Sequence, residues 1–353
     1  MLKLEKINKK VGKFSLRDID FAVKKGDYFI LIGESGAGKS ILLEIITGLL
    51  TPDSGNIILN GINILNVPPQ KRNIGIVYQK PTLFPHMSVF ENIAYPYRIK
   101  KYTKEEIKIK VQKLAEDTEI EHILKRRIGN LSGGEVQRVT IARTLATNPD
   151  VLLLDEPLSF LDVQLKRGML SLLRKLNQKG QTIVHVTHDY DEALALANQI
   201  AIIEKGKIIQ SGTPREIFQN PRSIFVANFI GIKNFLKGRL SPSGQGSEVK
   251  IFETSAIEIS TTSNDDVGSE GFVIIPVEKI VVSQEKLDSN IANNFKGYIK
   301  DIYQTKFGFE VVIDIGIELS AQISYSTMES LKITIGKCVW ICINTDSVKF
   351  VRT

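Results

Sequence analysis

The segment Gly33-Glu-Ser-Gly-Ala-Gly-Lys-Ser40 decides the fold of the first part of this 353-residue chain. It follows the apolar run YFILI and leads into ILLEIITGLL, which has helical spacing. A strand, a glycine-rich loop and a helix in this order form a phosphate cradle, because backbone N–H groups and the helix N-terminus supply positive potential. We expect Lys39 to reach the terminal phosphates of a nucleotide and Ser40 to ligate Mg²⁺. The predicted nucleotide-binding residues are Gly33, Glu34, Ser35, Gly36, Ala37, Gly38, Lys39 and Ser40. The alternative is a plain glycine-rich turn, and the strand and helix around the segment argue against it.

Up to about residue 234, short apolar runs alternate with segments of helical period. This alternation predicts an α/β fold, in which helices cover a parallel sheet. We expect buried strands at YFILIG, IGIVYQ, VLLLDE and TIVHVTH, and helices at residues 104–120, 132–148, 163–179 and 189–198. Ser132 with Glu135 three residues on has the spacing of a capping box.

The texture of the sequence changes after about Phe235 to short alternating segments such as GFVIIP, GFEVVIDIG and CVWICIN. This pattern predicts a separate all-β domain. We therefore expect a nucleotide-binding domain at residues 1–234, with a helical subdomain at about 85–148, and a β-rich domain at 235–353. The stretch SPSGQG near its start is expected to be a turn or loop.

Two adjacent acids, Asp155 and Glu156, end the predicted strand VLLLDE. An acid at the carboxyl end of a parallel strand points into the crevice where ligands bind. Asp155 can therefore hold the Mg²⁺ shell, and Glu156 can polarise an attacking water. Taken alone, the pair reads equally as a polar strand end, and the phosphate cradle favours the functional interpretation.

A second helix start, Leu131-Ser-Gly-Gly-Glu-Val-Gln-Arg138, offers exposed N–H groups to an anion. Ser132, Gly133 and Gly134 would form this second cradle, although a plain helix cap has the same appearance. Gln79 follows one buried strand, and His188 follows another. Alone, either residue would ordinarily be structural. They are candidate site residues because the phosphate-binding motifs occur in the same chain.

Composition and charge limit the classes of function. No apolar run approaches the roughly 20 residues of a membrane-spanning helix, and the N-terminus lacks the apolar stretch of a signal peptide. We therefore expect a cytoplasmic protein. The four histidines are scattered, which argues against a structural metal site. From Lys237 onward there are 12 Lys/Arg against 15 Asp/Glu, so the preceding residues carry about +10. That surplus suits phosphate, nucleic acid or an anionic membrane surface, or is a solvated basic face.

The order of these motifs, with Asp162 in the loop SFLD, resembles that of the ABC ATPases over essentially the first 235 residues. The resemblance implies a P-loop NTPase fold, ATP and Mg²⁺ as ligands, and a head-to-tail homodimer. Ser132, Gly133 and Gly134 of one subunit would cover the γ-phosphate held by Lys39 of the other. Glu156 would be the general base, His188 would contact the γ-phosphate, Gln79 would sense Mg²⁺ and the attacking water, and Asp162 would couple the two sites.

Further segments indicate which group of ABC ATPases the sequence resembles. The run from Gln79 to Val89 and the motif Gly212-Thr-Pro-Arg-Glu-Ile217 are similar to those of binding-protein-dependent importers, in which a groove receives an integral-membrane permease. The β domain is similar to the OB-like TOBE/Mop domains of molybdate, tungstate and sulfate importers. The resemblance thus implies an import ATPase at the cytoplasmic face of the cell membrane, served indirectly by an extracytoplasmic solute-binding protein, with molybdate or tungstate as the best-matching solute. Sulfate, iron, polyamine and sugar import remain alternatives.

Three positions depart from that family pattern. Val11 stands where an adenine-stacking aromatic is expected, with Phe14 as a substitute. Ala292 and Asn344 stand where the β domain is expected to carry an arginine and a lysine. Loss of both cations predicts weak oxyanion binding, which the uncharged residues Ser289, Asn293 and Ser324 would have to supply.

Two other classes of function remain to be compared. A soluble ABC ATPase that acts on nucleic acid would suit the basic charge. That class usually carries a long coiled-coil insertion or two cassettes, and the short spacing from Lys39 to Ser132 argues against it, so we expect no nucleic-acid partner. A small-anion store or sensor built on the β domain is disfavoured by its missing cations.

Overall fold

The computed structural model describes residues 1–243, 249–287 and 292–352. The chain divides into two compact units, Met1–Ile217 and Phe218–Thr353. The change of sequence texture near residue 234 coincides with the first strand of the second unit, which begins at Asn234. The functional boundary that we expect there stays a prediction.

The first unit contains ten strands and seven helices within the described residues. Its strands are β1 (Leu2–Val11), β2 (Phe14–Val23), β3 (Tyr28–Ile32), β4 (Ser54–Leu59), β5 (Ile62–Asn63), β6 (Ile74–Val77), β7 (Val151–Asp155), β8 (Thr182–Thr187), β9 (Gln199–Glu204) and β10 (Lys207–Gly212). Its helices are α1 (Lys39–Thr47), α2 (Val89–Ile99), α3 (Lys104–Thr118), α4 (Gly133–Leu145), α5 (Val163–Gln178), α6 (Tyr190–Leu196) and α7 (Pro214–Gln219), the last of which crosses into the second unit.

The central sheet has six strands in the order β10-β9-β3-β8-β7-β6. Five of them run parallel, and β10 pairs with β9 in the antiparallel sense. Strands β3 and β8 are buried along their whole length, which accounts for the continuous apolar run of β3, while β8 also buries Thr182, His185 and Thr187. The predicted strands are confirmed, and their carboxyl ends meet at one edge of the sheet, where ligands bind in such folds.

A second sheet of the first unit is antiparallel, with the order β2-β1-β4-β5. One apolar core joins its inner face to α1 and to the central sheet, with Leu4, Ile19, Leu43 and Leu153 among its members. Helix α1, which starts at the phosphate cradle, is therefore anchored by packing on both sides.

Helices α2, α3 and α4 share a separate apolar core that includes Val89, Val111 and Val139. Each of the three begins with a capping box, in which a Ser or Thr at the N-cap exchanges hydrogen bonds with a Glu three residues on. The four predicted helices are confirmed, and their ends differ from the expected ranges by at most three residues. Within the described ranges, no helix has both the length and the apolar content needed to span a bilayer.

The second unit contains ten strands, two helices and one hydrophobic core within the described residues. Its strands form two five-stranded sheets with the orders β13-β12-β11-β14-β20 and β15-β19-β16-β17-β18. They are β11 (Asn234–Pro242), β12 (Val249–Glu253), β13 (Glu258–Thr262), β14 (Glu270–Ile275), β15 (Ile280–Ser283), β16 (Ala292–Thr305), β17 (Gly308–Asp314), β18 (Glu318–Ile323), β19 (Cys338–Asn344) and β20 (Lys349–Arg352).

Its helices are α8 (Ile224–Phe229) and α9 (Tyr325–Leu331). Every strand pair of the unit is antiparallel, and inward residues alternate with outward ones, as along β19. This confirms a β-rich, OB-like second part. The expected loop SPSGQG lies partly outside the described residues, and so does Ser289, one of the residues expected to bind an oxyanion.

Candidate functional site

The phosphate cradle lies between the end of β3 and the start of α1. Gly38 is the N-cap of α1, with a φ of 103°, and no side chain caps this helix start. Its first N–H groups therefore remain available to an anion. Gly33 is fixed by a close approach, because a Cβ there would lie 2.3 Å from the backbone oxygen of Ile203. The loop thus has the backbone geometry that binding of a phosphate chain requires.

Lys39 places its charge inside this loop. Its Nζ donates to the backbone oxygens of Gly33, at 2.7 Å, and Glu34, at 2.9 Å, and the residue is only 5% exposed. Burial lowers the pKa of Lys39, and the nearby carboxylates Glu156 and Asp155 partly offset that effect. The ammonium is therefore the positive centre of the cradle.

Ser40 and Asp155 form a pair of oxygen ligands beside Lys39. The Ser40 hydroxyl lies 3.3–3.4 Å from the two carboxylate oxygens of Asp155. Burial raises the pKa of Asp155, the Ser40 hydrogen bond and Lys39 oppose that shift, and Glu156 reinforces it. Mg²⁺ prefers one or two protein oxygens together with phosphate oxygens and water, so a hydroxyl next to a half-buried carboxylate fits this ion.

Glu156 is the point at which three strand ends converge. Its Oε2 accepts a hydrogen bond from Gln79 Nε2 at 3.1 Å, and its Oε1 lies 3.2 Å from His188 Nδ1. Gln79 follows β6, Glu156 follows β7 and His188 follows β8. Glu156 has a φ of 44°, a conformation that costs free energy for a residue with a Cβ and that is found preferentially at functional sites.

The second predicted cradle lies at the start of α4. Ser132 is its N-cap: the Glu135 backbone N–H donates to Ser132 Oγ at 3.3 Å, and the Ser132 N–H donates to the Glu135 carboxylate at 2.7 Å. Ser132 and Gly133 are exposed, and a Cβ on Gly133 would meet open space. In the part of the chain that the structure describes, no hydrogen bond connects Ser132 to Lys39 or Glu156, so this segment and the first cradle are not joined within one subunit.

Asp162 is the N-cap of α5, where its Oδ1 accepts from the backbone N–H groups of Gln164 and Leu165. Its neighbours Phe160 and Val163 expose 74% and 71% of their surface. Such exposed apolar side chains next to a site indicate a contact surface.

Phe14, half-buried, lies against the cradle, since a Cβ on Gly38 would come within 2.6 Å of its ring.

The sequence did not predict a buried polar cluster beneath His188. It comprises Tyr28, Lys166, His185, Asp189 and Glu192. Its only sequence signal is spacing: His185, in β8, lies three residues before His188, and Glu192 lies four residues after His188. Only the packing of α5 and α6 against β8 brings these groups together.

The chain is similar to ATP-binding proteins of transporters over nearly all of its length. A family model described as ABC transporter matches residues 16–159. The molybdate/tungstate import ATP-binding protein WtpC of Pyrococcus abyssi is 38% identical over 353 residues, with 99% of each chain covered. The spermidine/putrescine import ATP-binding protein PotA of Fusobacterium nucleatum is 37% identical, with 83% of this chain and 79% of that protein covered.

Among solved structures, the ATP-binding cassette MJ0796, a dimer in a post-hydrolysis state bound to ADP and Pi, superposes with a TM-score of 0.55. It is 32% identical, and the match covers 61% of this chain and 99% of that one. The likeness to a solved cassette therefore covers about three-fifths of the chain, whereas the likeness to the Pyrococcus protein extends over nearly all of it.

Proposed function

This chain belongs to the ATP-binding proteins of ABC transporters, and from that membership we propose that it is the ATPase subunit of an importer for molybdate or tungstate. The choice of solute rests on the 38% identity to the molybdate/tungstate import protein. This match covers 99% of both chains and therefore includes the second unit. Polyamine import is the second candidate, because proteins named for spermidine and putrescine match at 37% identity over 83% of the chain.

The geometry at the strand ends supports a mechanism for hydrolysis. Glu156 accepts a proton from a water molecule, whose oxygen attacks the γ-phosphorus of ATP while the bond to the bridging oxygen of ADP breaks. The products are ADP and inorganic phosphate, and the proton passes from Glu156 to solvent or phosphate. Gln79 and His188 hold the Glu156 carboxylate at 3.1 and 3.2 Å, so they orient the base and face the attacking water and the γ-phosphate.

Charge stabilisation comes from the cradle. Lys39 and the N–H groups of the uncapped helix α1 bind the β- and γ-phosphates. Ser40 and Asp155 are the residues that would hold Mg²⁺, with Gln79 beside them. When bound, the ion neutralises charge that develops on the phosphate oxygens.

A second copy of the chain completes the site. Ser132 and Gly133 are exposed at the start of α4, whereas Gly134 is buried. Within the described residues none of the three has a hydrogen bond to the cradle of its own subunit, and this helix start would cover the γ-phosphate bound by a partner. Asp162, beside the exposed Phe160 and Val163, would lie at the same interface and couple the two sites. The solved relative that is a dimer with ADP and Pi supports this arrangement.

The importer requires further partners that this chain does not supply. We propose an integral-membrane permease that docks near Gln79, an extracytoplasmic solute-binding protein that delivers the solute, and a location at the cytoplasmic face of the membrane. No nucleic-acid partner is proposed, because the matched relatives are named as import ATPases.

Uptake by cells that lack this gene tests the proposal. Loss of tungstate uptake, restored by the parent chain and not by the Glu156→Gln variant, is the expected result. The same strain should import spermidine at the parental rate. Unchanged tungstate uptake with loss of spermidine uptake would transfer the proposal to polyamines.

A further inference from the structure

The buried cluster beneath His188 contains charges that the hydrolysis mechanism does not use. Lys166 Nζ lies 2.5 Å from Asp189 Oδ2 and 2.7 Å from Glu192 Oε1. The Glu192 side chain is only 4% exposed, and the Lys166 and Asp189 side chains are 28% and 31% exposed. Burying a carboxylate carries a desolvation cost that a leucine would avoid, so the cluster calls for an explanation beyond packing.

The cluster continues into the central sheet. Glu192 Oε2 lies 3.4 Å from His185 Nε2, although the two atoms are not aligned as a hydrogen bond. On the other side of the ring, the Tyr28 hydroxyl lies 3.0 Å from His185 Nδ1. Tyr28 and His185 are both fully buried. Glu192 is thereby held between a fixed lysine and a ring that belongs to the core.

Burial acts against the charged form of Glu192, yet this carboxylate remains ionised. Burial alone would raise its pKa, but the contacts with His185, Lys166 and Thr187 outweigh it and lower the pKa to about 2. Burial likewise lowers the pKa of Lys166, and its bonds to Asp189 and Glu192 reverse the shift. Lys166 and Glu192 are therefore charged together at neutral pH.

The position of the cluster connects it to His188. The His188 side chain is 53% exposed, and its polar side-chain contact within the described residues is with Glu156. Little packing therefore fixes its ring, and its place depends on the turn between β8 and α6. Asp189 directly follows it: one carboxylate oxygen caps α6 through the Asp191 N–H at 2.8 Å, and the other binds Lys166. A cavity of about 180 Å³ is bordered by Glu156, His188, Lys166 and Glu192 alike.

We propose that Lys166 is a positioning residue for His188, which it holds toward Glu156 by clamping Asp189 and Glu192 at the start of α6. Lys166 lies in the first turn of α5, four residues after its N-cap Asp162. One side chain therefore ties the helix that begins at Asp162 to the turn that carries His188. The expected effect of Lys166 on ATP hydrolysis rests on the proposed function. Its effect on the position of the His188 ring does not.

Three substitutions distinguish the positioning of His188 by Lys166 from a general contribution of the cluster to folding. Lys166→Met removes the ammonium at nearly constant length, and Lys166→Arg restores a cation that can bridge two carboxylates. Asp189→Asn keeps a residue able to cap α6 and removes the charge that Lys166 clamps. Lys175→Met is the matched control: Lys175 lies on the same helix and is 3.8 Å from Glu119, with 43% of its side chain exposed.

Steady-state hydrolysis is the first measurement. Misplacing a group next to the reacting atoms costs rate and not ground-state binding, so Lys166→Met should lower kcat about 10- to 100-fold and leave KM for ATP within about twofold. Asp189→Asn should act in the same direction, and Lys166→Arg should recover most of the loss. Equal kcat values for Lys166→Met and Lys175→Met in folded proteins would overturn the proposal.

Imidazole NMR of the nucleotide-free protein is the second measurement, and it does not depend on activity. The chain has four histidines, so their ring ¹⁵N signals can be assigned. Lys166→Met and Asp189→Asn should shift the His188 signals and leave those of His86 and His122 unchanged, whereas Lys175→Met should shift none. Unchanged His188 signals in both variants would refute the clamp. A parent protein without ATPase activity would refute the proposed function instead, and the NMR result would still decide the clamp.

Discussion

His188 Nδ1 lies 3.2 Å from Glu156 Oε1, and the two residues follow neighbouring parallel strands, β8 and β7. The contact is possible because Glu156 adopts a φ of 44°, directly after the last residue of β7. Its backbone N–H donates to Val186 at 2.9 Å, which fixes that turn against β8. The carboxylate is thus oriented by the sheet itself, together with Gln79.

Changing Glu156 to Gln tests the role of this carboxylate. The amide keeps the shape of the side chain but cannot accept a proton, so turnover should fall about 10²- to 10⁴-fold. ATP binding should persist, and the nucleotide-bound dimer should accumulate in light scattering. Glu105, an exposed carboxylate on α3, provides the control Glu105→Gln. Steady-state hydrolysis at the parental rate would count against the assignment.

Changing Lys39 to Ala removes the positive centre of the cradle. Two charge-assisted bonds to phosphate, each worth about 1.5 to 3 kcal/mol, would be lost, so affinity for ATP should fall by at least about 100-fold. A fluorescent ATP analogue measures this directly, with the exposed Lys24→Ala as the control. Unchanged affinity would refute the placement of Lys39 at the phosphates.

The central sheet and its flanking helices could be predicted because local signals mark them. The continuous apolar run YFILI specifies β3, and the capping box at Ser132 specifies the start of α4 to within one residue. The sheet β2-β1-β4-β5 was not predicted. Its pairing joins β1 to β4 across about 50 residues and contains register shifts in both ladders of β1, with Lys6 and Asp18 at positive φ. Such irregularities follow from tertiary packing and leave no periodic pattern.

The residues of the candidate site also fall into those that the sequence predicts and those that it does not. Lys39, Ser40, Asp155 and Glu156 could be predicted because each stands at a strand or helix end that the sequence marks. Lys166 could not, since its role depends on how α5 packs against α6, a relation between segments more than 20 residues apart.

The pH dependence of stability provides a test of the buried carboxylate. The pKa of Glu192 is lowered from 4.5 to about 2, so its ionised form stabilises the folded state above pH 4.5, and this contribution disappears as the pH falls to about 2. The full shift corresponds to a free energy on the order of 3 kcal/mol. Glu192→Gln should therefore destabilise the protein at pH 7 and converge with the parent near pH 2. Denaturant unfolding across this range measures the difference, and a constant gap between the two proteins would contradict the prediction.

Arg72 is expected to stabilise the helix that carries the cradle. Its guanidinium, buried to 4% exposure, donates to the carbonyls of Ile45 and Ile46 at the end of α1 and to Val67 and Leu65. Arg72→Ala would leave these carbonyls without their donor and should cost about 3 kcal/mol. Gly48→Ala should also destabilise, because Gly48 has a φ of 83° and its Cβ would lie 2.5 Å from the Arg72 guanidinium. Hydrogen exchange of the α1 amides reports both effects locally, and unchanged protection in Arg72→Ala would contradict this account.

The second unit provides a last test, at the two positions where cations are missing. Ala292 and Asn344 are backbone partners in neighbouring strands, β16 and β19. Two of the uncharged residues expected to bind an oxyanion already make hydrogen bonds. The Asn293 side-chain oxygen accepts from the Ser260 N–H at 2.6 Å, its nitrogen donates to the Ser260 backbone oxygen at 2.9 Å, and Ser324 caps α9. The Asn344 side chain accepts from the Asp346 N–H. Asn293 and Ser324 would therefore have to give up existing hydrogen bonds before they could bind an oxyanion.

Calorimetry with molybdate on the full-length Lys39→Ala variant tests this expectation, because that substitution weakens the phosphate cradle as a competing anion site. We expect a Kd above about 0.1 mM, since hydrogen bonds from neutral donors that must first break existing bonds contribute little. Directly opposed residues in an antiparallel pair lie about 5 Å apart, so the double variant Ala292→Arg with Asn344→Lys would place two cations side by side. It should bind molybdate at least about 10-fold more tightly than its parent. Micromolar binding without the added cations would show that the uncharged residues suffice and that the second unit is an oxyanion sensor after all.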